Sequence, residues 1–342
     1  MLYPDKAPGK ADCRLFCIGN AMIDVFAEVP LDFCKQFSLN VPVQHINAET
    51  AAAIFAALPL DKTLKSGGGA ANTAKAAVRL GIKSAFAGAL GSMENQCDSL
   101  GFDPLGVFFI QEMETAGVVL YLTKKKAPSG LFICITAANN KYILAAPSAA
   151  LEFDAPDIED LMFAGPNNIS DNFSRVLYLD GFILDRKELV QHFIKMAGKF
   201  NLTLALDLGT ETIALQQAQL IFGNKQSILK KAFLPGPLIV FMNKKEAEAC
   251  AKVLNADWES LFTAESRNNS ILITVKLAEQ GAIVFSGGKM YKIPAKTLEL
   301  PDSTGAGDAF AAGFLSAYLQ NKSPEQCGLA GNSAAAMVLK TP

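Results

Sequence analysis

The sequence predicts an α/β fold built on a mostly parallel sheet, and three observations carry that prediction. Short apolar runs that suit buried parallel strands recur at Leu15–Ile18, Val176–Leu179, Leu202–Leu206, Leu238–Phe241 and Ile271–Val275. Helical stretches alternate with them, as Lys187 to Phe200 does between the second and third runs, which is the βαβ pattern. Small-residue glycine turns, at Ser66–Gly69 and Gly305–Gly307, stand immediately before segments of helical spacing. The first run, continuing into Gly19-Asn20-Ala21-Met22-Ile23-Asp24, places Asn20 and Asp24 near the carboxyl end of a strand, where open α/β sheets collect ligands.

At 342 residues the chain exceeds the roughly 250 to 300 that one core sustains, so one large domain with a smaller appendage is expected. Two regions break the alternation, roughly residues 25 to 47 and 117 to 146. Within the latter, Val118 to Thr123, Leu131 to Thr136 and Tyr142 to Ala145 have the β propensity and turns of hairpin strands. The composition, 50% hydrophobic and 19% charged with a formal net charge of -2, is that of a soluble enzyme without the basic excess that nucleic-acid binding needs. The Lys124-Lys125-Lys126 run before Ala127-Pro128-Ser129-Gly130 is expected to be a solvated hairpin turn. Seven scattered cysteines without a C-x-x-C pair point to reduced packing residues and a cytoplasmic setting. Met1 to Asp12 lacks the apolar core of a signal peptide, and no run of membrane length follows, so no membrane association is expected.

Near the end of the chain stands Asp302-Ser303-Thr304-Gly305-Ala306-Gly307-Asp308-Ala309-Phe310, followed by Phe314 and Tyr318 at helical spacing. The amides of Gly305, Ala306 and Gly307 could point at a phosphate at the positive end of a helix, and the absence of side chains would let it come close. Asp308 is a poor phosphate partner but is well placed to take a proton from a hydroxyl about to attack one. The same residues also describe a capped helix with an acidic first turn, and both readings stand on this segment alone. Far upstream lies Ser66-Gly67-Gly68-Gly69-Ala70-Ala71-Asn72-Thr73-Ala74. Its glycines would admit a ligand to backbone amides while Asn72 donates and accepts at once, or they form a structural turn.

Rival motifs fail on spacing. No G-x-x-x-x-G-K-[ST] occurs, and Phe310 stands where a dinucleotide fingerprint after Gly305 and Gly307 needs its third glycine. The only histidines, His45 and His192, lie in no metal or triad spacing.

Taken in order, the two glycine segments resemble the N-terminal and C-terminal signatures of the ribokinase-like (PfkB) carbohydrate kinases, and the resemblance spans nearly the whole chain. It implies a ribokinase-like three-layer α/β fold, a single kinase domain over residues 1–342, and a small β-sheet lid from roughly 25–47 and 117–146. It implies an ATP-dependent sugar kinase in which Gly305, Ala306 and Gly307 hold the transferred phosphate and Asp308 is the base. Asn20, Asp24, Gly68, Gly69 and Asn72 would bind the substrate. Met242-Asn243-Lys244-Lys245-Glu246 resembles the family's N-x-x-E element, which gives Asn243 to the nucleotide and Glu246 to magnesium; an ordinary N-cap with an acidic first turn has the same residues. Thr274, Lys276, Gly281 and Asn332 fall to the nucleotide site. Here the chain departs from the family's T-x-G-x-x-G, with Lys276 near the expected first glycine and Leu277-Ala278-Glu279-Gln280 before Gly281. Residues 92 to 102 are a further departure, expected as a surface insertion. Phe26 and Phe132 are candidates to cover the substrate.

Gly19-Asn20 with Asp24, and Tyr178-Leu179-Asp180-Gly181-Phe182-Ile183, look similar to the adenosine-kinase-like branch, so a nucleoside kinase is the alternative acceptor class. A binding homologue that has lost transfer is the alternative of another kind. The small-molecule substrate would meet a monomer or a homodimer formed through the lid.

Overall fold

The computed structural model describes residues 2–3, 13–92, 101–154, 175–223, 234, 236–295 and 305–338. The large sheet consists of β1 (Leu2–Tyr3), β2 (Leu15–Ile18), β6 (Ser84–Gly91), β7 (Val119–Lys125), β10 (Val176–Leu179), β11 (Thr203–Asp207), β12 (Leu238–Asn243), β13 (Ile271–Lys276), β14 (Ala282–Ser286) and β15 (Lys289–Ile293). Their order across the sheet is β1-β7-β6-β2-β10-β11-β12-β13-β14-β15. Every pairing from β7 to β13 is parallel, and antiparallel strands close both edges. A second sheet has the order β4 (Val43–His45), β9 (Asn140–Ala146), β8 (Gly130–Ala137), β3 (Met22–Glu28), β5 (Thr63–Gly67).

The central strands are buried on both faces because alternate residues feed two cores. Leu15, Cys17, Tyr178, Ala205, Ile239 and Phe241 face helices Gly69–Arg79, Ala306–Tyr318 and Pro324–Val338. Phe16, Ile18, Leu177, Leu206, Val240 and Met242 face helices Lys187–Lys199, Glu211–Phe222 and Lys244–Val253. Phe241 anchors the first core, with its ring 5.3 Å from that of Phe314 at 86°. Helices Ala306–Tyr318 and Pro324–Val338 pack closely because Gly313 faces Ala330 and Ala334, where a Cβ would stand 2.6 Å from the Ala330 carbonyl oxygen.

The expected hairpin strand at Val118 to Thr123 is corrected. As β7 it lies in the large sheet, parallel to β6 with Ala85 opposite Val119. The cause is burial on both faces: Leu120, Tyr121, Leu122 and Thr123 are all buried, whereas β8 alternates buried and half-buried residues as a half-solvated strand does. In its place the second sheet takes β5, antiparallel to β3 and delivering the chain directly into Gly68. Of the 92–102 insertion, Ser92 and Phe102 pair as an antiparallel bridge, and residues 93–100 lie outside the described residues. Among the described residues no helix is long and apolar enough to cross a membrane.

Candidate active site

The carboxyl ends of β2, β10, β11, β12 and β13 bring Asn20, Asp180, Asp207, Asn243 and Lys276 to one edge of the large sheet. The N-termini of helices Gly69–Arg79 and Ala306–Tyr318 face that edge. The two signatures, 236 residues apart, join there: Asn72 Nδ2 donates to Asp308 Oδ2 at 3.1 Å, and Thr73 Oγ1 donates to the Asp308 backbone oxygen at 3.4 Å. Gly69 permits this approach, since a Cβ there would stand 3.3 Å from Asp308 Oδ1.

Gly305 takes the left-handed conformation at φ +78° that starts helix Ala306–Tyr318. Ala309 N–H donates to Gly305 O at 3.0 Å, so Ala306 and Gly307 lie at the helix end whose amides the ladder leaves unpaired. The Asp302–Thr304 part of the signature lies outside the described residues. Lys276, the last residue of β13, reaches this turn, with its Nζ 3.4 Å from where a Cβ on Gly307 would stand. It also donates to Asp207 Oδ2 at 2.9 Å, while Asp207 Oδ1 accepts from the Gly209 amide. Burial alone would lower the Lys276 pKa; the Asp207 charge and hydrogen bond outweigh it and hold the group above the ordinary lysine value, so it is a cation.

Asn243 and Glu246 form a full capping box. Asn243 Oδ1 accepts from the Glu246 amide at 3.0 Å, and Glu246 Oε2 and Oε1 accept from Asn243 N and Nδ2 at 2.9 and 2.6 Å. Glu246 is 2% exposed, and both its oxygens are engaged. Thr274 sits two residues below Lys276 in the core, 0% exposed, in register with Phe241, and does not line the site surface. Gly281 and Asn332 meet at one other place. Asn332 Nδ2 donates to Ile293 O and Pro294 O at 3.3 and 2.9 Å, and Gly281, φ +91°, packs against Ile293 and Ala295 where any Cβ would collide. Both residues therefore hold the chain leaving β15. The residues of this turn with positive φ are Ala278 at +52° and Gly281 at +91°, two and five positions after Lys276.

At the first glycine segment, a Cβ on Gly68 (φ +96°) would overlap the Asn20 backbone oxygen, and one on Gly67 would overlap the Asp24 carboxylate. Asn20 Oδ1 accepts from Arg186 Nη2 at 3.5 Å. Lys75 donates to Ser66 Oγ at 2.9 Å, and its charge acts on Asp24. Asp180 is a site residue that sequence reasoning missed as such. It is 4% exposed, packed under Gly19 and close to Gly69; the Ala70 and Asn20 amides approach it without reaching hydrogen-bonding geometry.

Four carboxyls here are pushed up, in each case chiefly by burial. Asp308 rises to about 7, with the Asp207 charge second and Asn72 opposing; Asp24 and Glu246 rise to about 7, and Asp180 to about 6. Asp308 as a residue is half-buried. Between the ordinary carboxylate range and about pH 7 the folded protein thus holds protons that the unfolded chain has released. These groups make stability fall as pH rises through that window. The thermal midpoint of the ligand-free protein is therefore expected to be higher at about pH 5.5 than at about pH 8. A midpoint that climbs over this range, followed by circular dichroism, would contradict the assignment.

Residues 60–342 match the pfkB family carbohydrate kinases. The chain is 26% identical over 276 residues to a protein named an uncharacterized sugar kinase from Archaeoglobus fulgidus, covering 77% of this chain and 93% of that one. It is 27% identical over 349 residues to Adenosine kinase 2 of Arabidopsis thaliana, covering 96% and 94%. Among solved structures it is similar to adenosine kinase from Sinorhizobium meliloti, with a TM-score of 0.76 at 24% identity over 97% and 95% of the two chains. It also matches the Methanocaldococcus jannaschii nucleoside kinase, titled a member of the ribokinase family, with a TM-score of 0.65 at 20% identity over 96% and 91%. With the two signatures hydrogen-bonded to each other at the strand ends of a ribokinase-like sheet, this chain belongs to the pfkB family of carbohydrate kinases.

Proposed function

We propose that this protein is an ATP-dependent kinase of a small molecule, transferring the terminal phosphoryl group to a primary hydroxyl of a sugar. The observation that carries this reading is the hydrogen bond from Asn72 to Asp308. It sets a carboxylate with a pKa near 7 between the glycine segment assigned to the substrate and the turn assigned to the phosphate.

A polyphosphate fits the residues present. Ala306 and Gly307 offer amides at a helix N-terminus without side chains in the way, and Lys276 lies beside them. ATP supplies the phosphoryl group. Asn20, Asp24 and Asn72 orient the acceptor, and Asp308, half ionised near neutrality, takes the proton of its attacking hydroxyl. Positioning and charge stabilisation do the remainder. For magnesium, the described residues contain no group of three or more His, Cys, Asp or Glu placed to hold a metal. Asp207 is committed to Lys276 and Glu246 to Asn243, which suits an ion carried by phosphate oxygens and water, with Glu246 acting through that water.

One feature favours a nucleoside as the second acceptor class. Phe132 is the register partner of Asp24 across β3 and β8, and it is half-buried, so an aromatic ring stands beside the carboxylate that would grip ribose. The test is ADP formation from ATP with pentoses, hexoses, a keto-deoxy sugar acid, adenosine and cytidine as acceptors. Turnover confined to sugars supports the first class, and turnover confined to nucleosides the second. ATP binding without turnover of any acceptor would contradict both and leave the non-transferring homologue.

A further inference from the structure

The surroundings of Lys276 go beyond those of a surface lysine. Its side chain is 18% exposed and that of its partner Asp207 is 9% exposed, so the pair is fixed largely out of water, where charge is little screened. Asp207 is anchored by the Gly209 amide on one oxygen and takes one of three ammonium protons on the other. The ammonium lies beside Gly307, at a turn bare of side chains, and its charge acts on both Asp308 and Glu246. Among the described residues, Glu246 and Asp308 are the other ionisable groups whose charge acts on it, and both are acidic. Among the described residues, a phosphoryl group entering there would meet three carboxyls and the Lys276 ammonium, which makes Lys276 the group that renders an anion tolerable beside the base.

We propose that Lys276 is a catalytic residue, its ammonium held on Asp207 and pairing with the phosphoryl group under transfer at the Gly305–Gly307 turn. The inference rests on the kinase reading above. A charge-assisted contact of this kind forms with the terminal phosphate, so its energetic signature is a preference for ATP over ADP.

The test is calorimetric titration of the full-length protein with ATP and with ADP, magnesium present and no acceptor added. The wild type is expected to bind ATP the more tightly. Lys276→Met is expected to lose about tenfold or more of that preference, while ADP affinity changes little and Lys276→Arg keeps most of it. Because Lys276→Met leaves Asp207 uncompensated, the deciding comparison is Lys276→Met with Asp207→Asn against Asp207→Asn alone. The preference is expected to persist in the single variant and vanish in the double. An unchanged ATP-to-ADP ratio in the double variant would overturn the role of Lys276 and leave the kinase reading standing. Failure of the wild type to bind either nucleotide would overturn that reading, and this inference with it.

Discussion

Asp308→Asn is expected to lower kcat by at least about 10²- to 10⁴-fold, equivalent to about 3 to 5 kcal/mol of barrier, without unfolding the protein. The substitution is nearly isosteric, and its amide oxygen can still accept from Asn72 Nδ2, so the join between the two helix starts survives. What disappears is the group that can take a proton. Stability is expected to move the other way. Burial raises the Asp308 pKa to about 7, so ionising it at pH 8 works against folding, and a neutral amide avoids that cost. The thermal midpoint at pH 8 should match or exceed that of the wild type. A lower midpoint with lost activity would point to a structural role for Asp308 instead.

Gly68→Ala is expected to give the largest loss of stability among single-methyl changes at the site, about 2 to 6 kcal/mol. Two costs combine. At φ +96° and ψ 138° the backbone is strained for any residue with a Cβ, and that Cβ would overlap the Asn20 backbone oxygen, which cannot swing aside as a long side chain can. Gly81→Ala separates the two, because Gly81 also has positive φ, +82°, but meets nothing within 4 Å, so it should cost only the strain, about 1 kcal/mol. Urea midpoints of the two variants measure the difference, and equal losses would remove the steric argument. Under the proposed function, in which Asn20 and Gly68 bind the acceptor, any Gly68→Ala protein that folds should also lose acceptor affinity.

Both signatures were legible in the sequence because each is contiguous, a glycine turn followed by a helix, and that geometry is encoded within ten residues. Their contact was not legible, because nothing local links Asn72 to Asp308; only the parallel order of the strands brings them together. The same reason hid Asp180 and Asp207. Each is an acid at a strand end, and its meaning comes from Gly19, Gly69 and Lys276 on other elements. At Asn243 and Glu246 the sequence left capping and metal binding open, and the hydrogen bonds form the capping box. Strand β7 was misplaced because Val119 to Lys125 reads as β in either sheet, and only two-sided burial decides between them.

The most direct measurement of the central claim is ADP formation from ATP and magnesium with the acceptor panel, run with wild-type protein beside Asp308→Asn. Turnover of at least one hydroxyl-bearing acceptor by the wild type, reduced about 10²-fold or more in the variant, is the predicted result. Turnover that persists undiminished in Asp308→Asn would contradict the account.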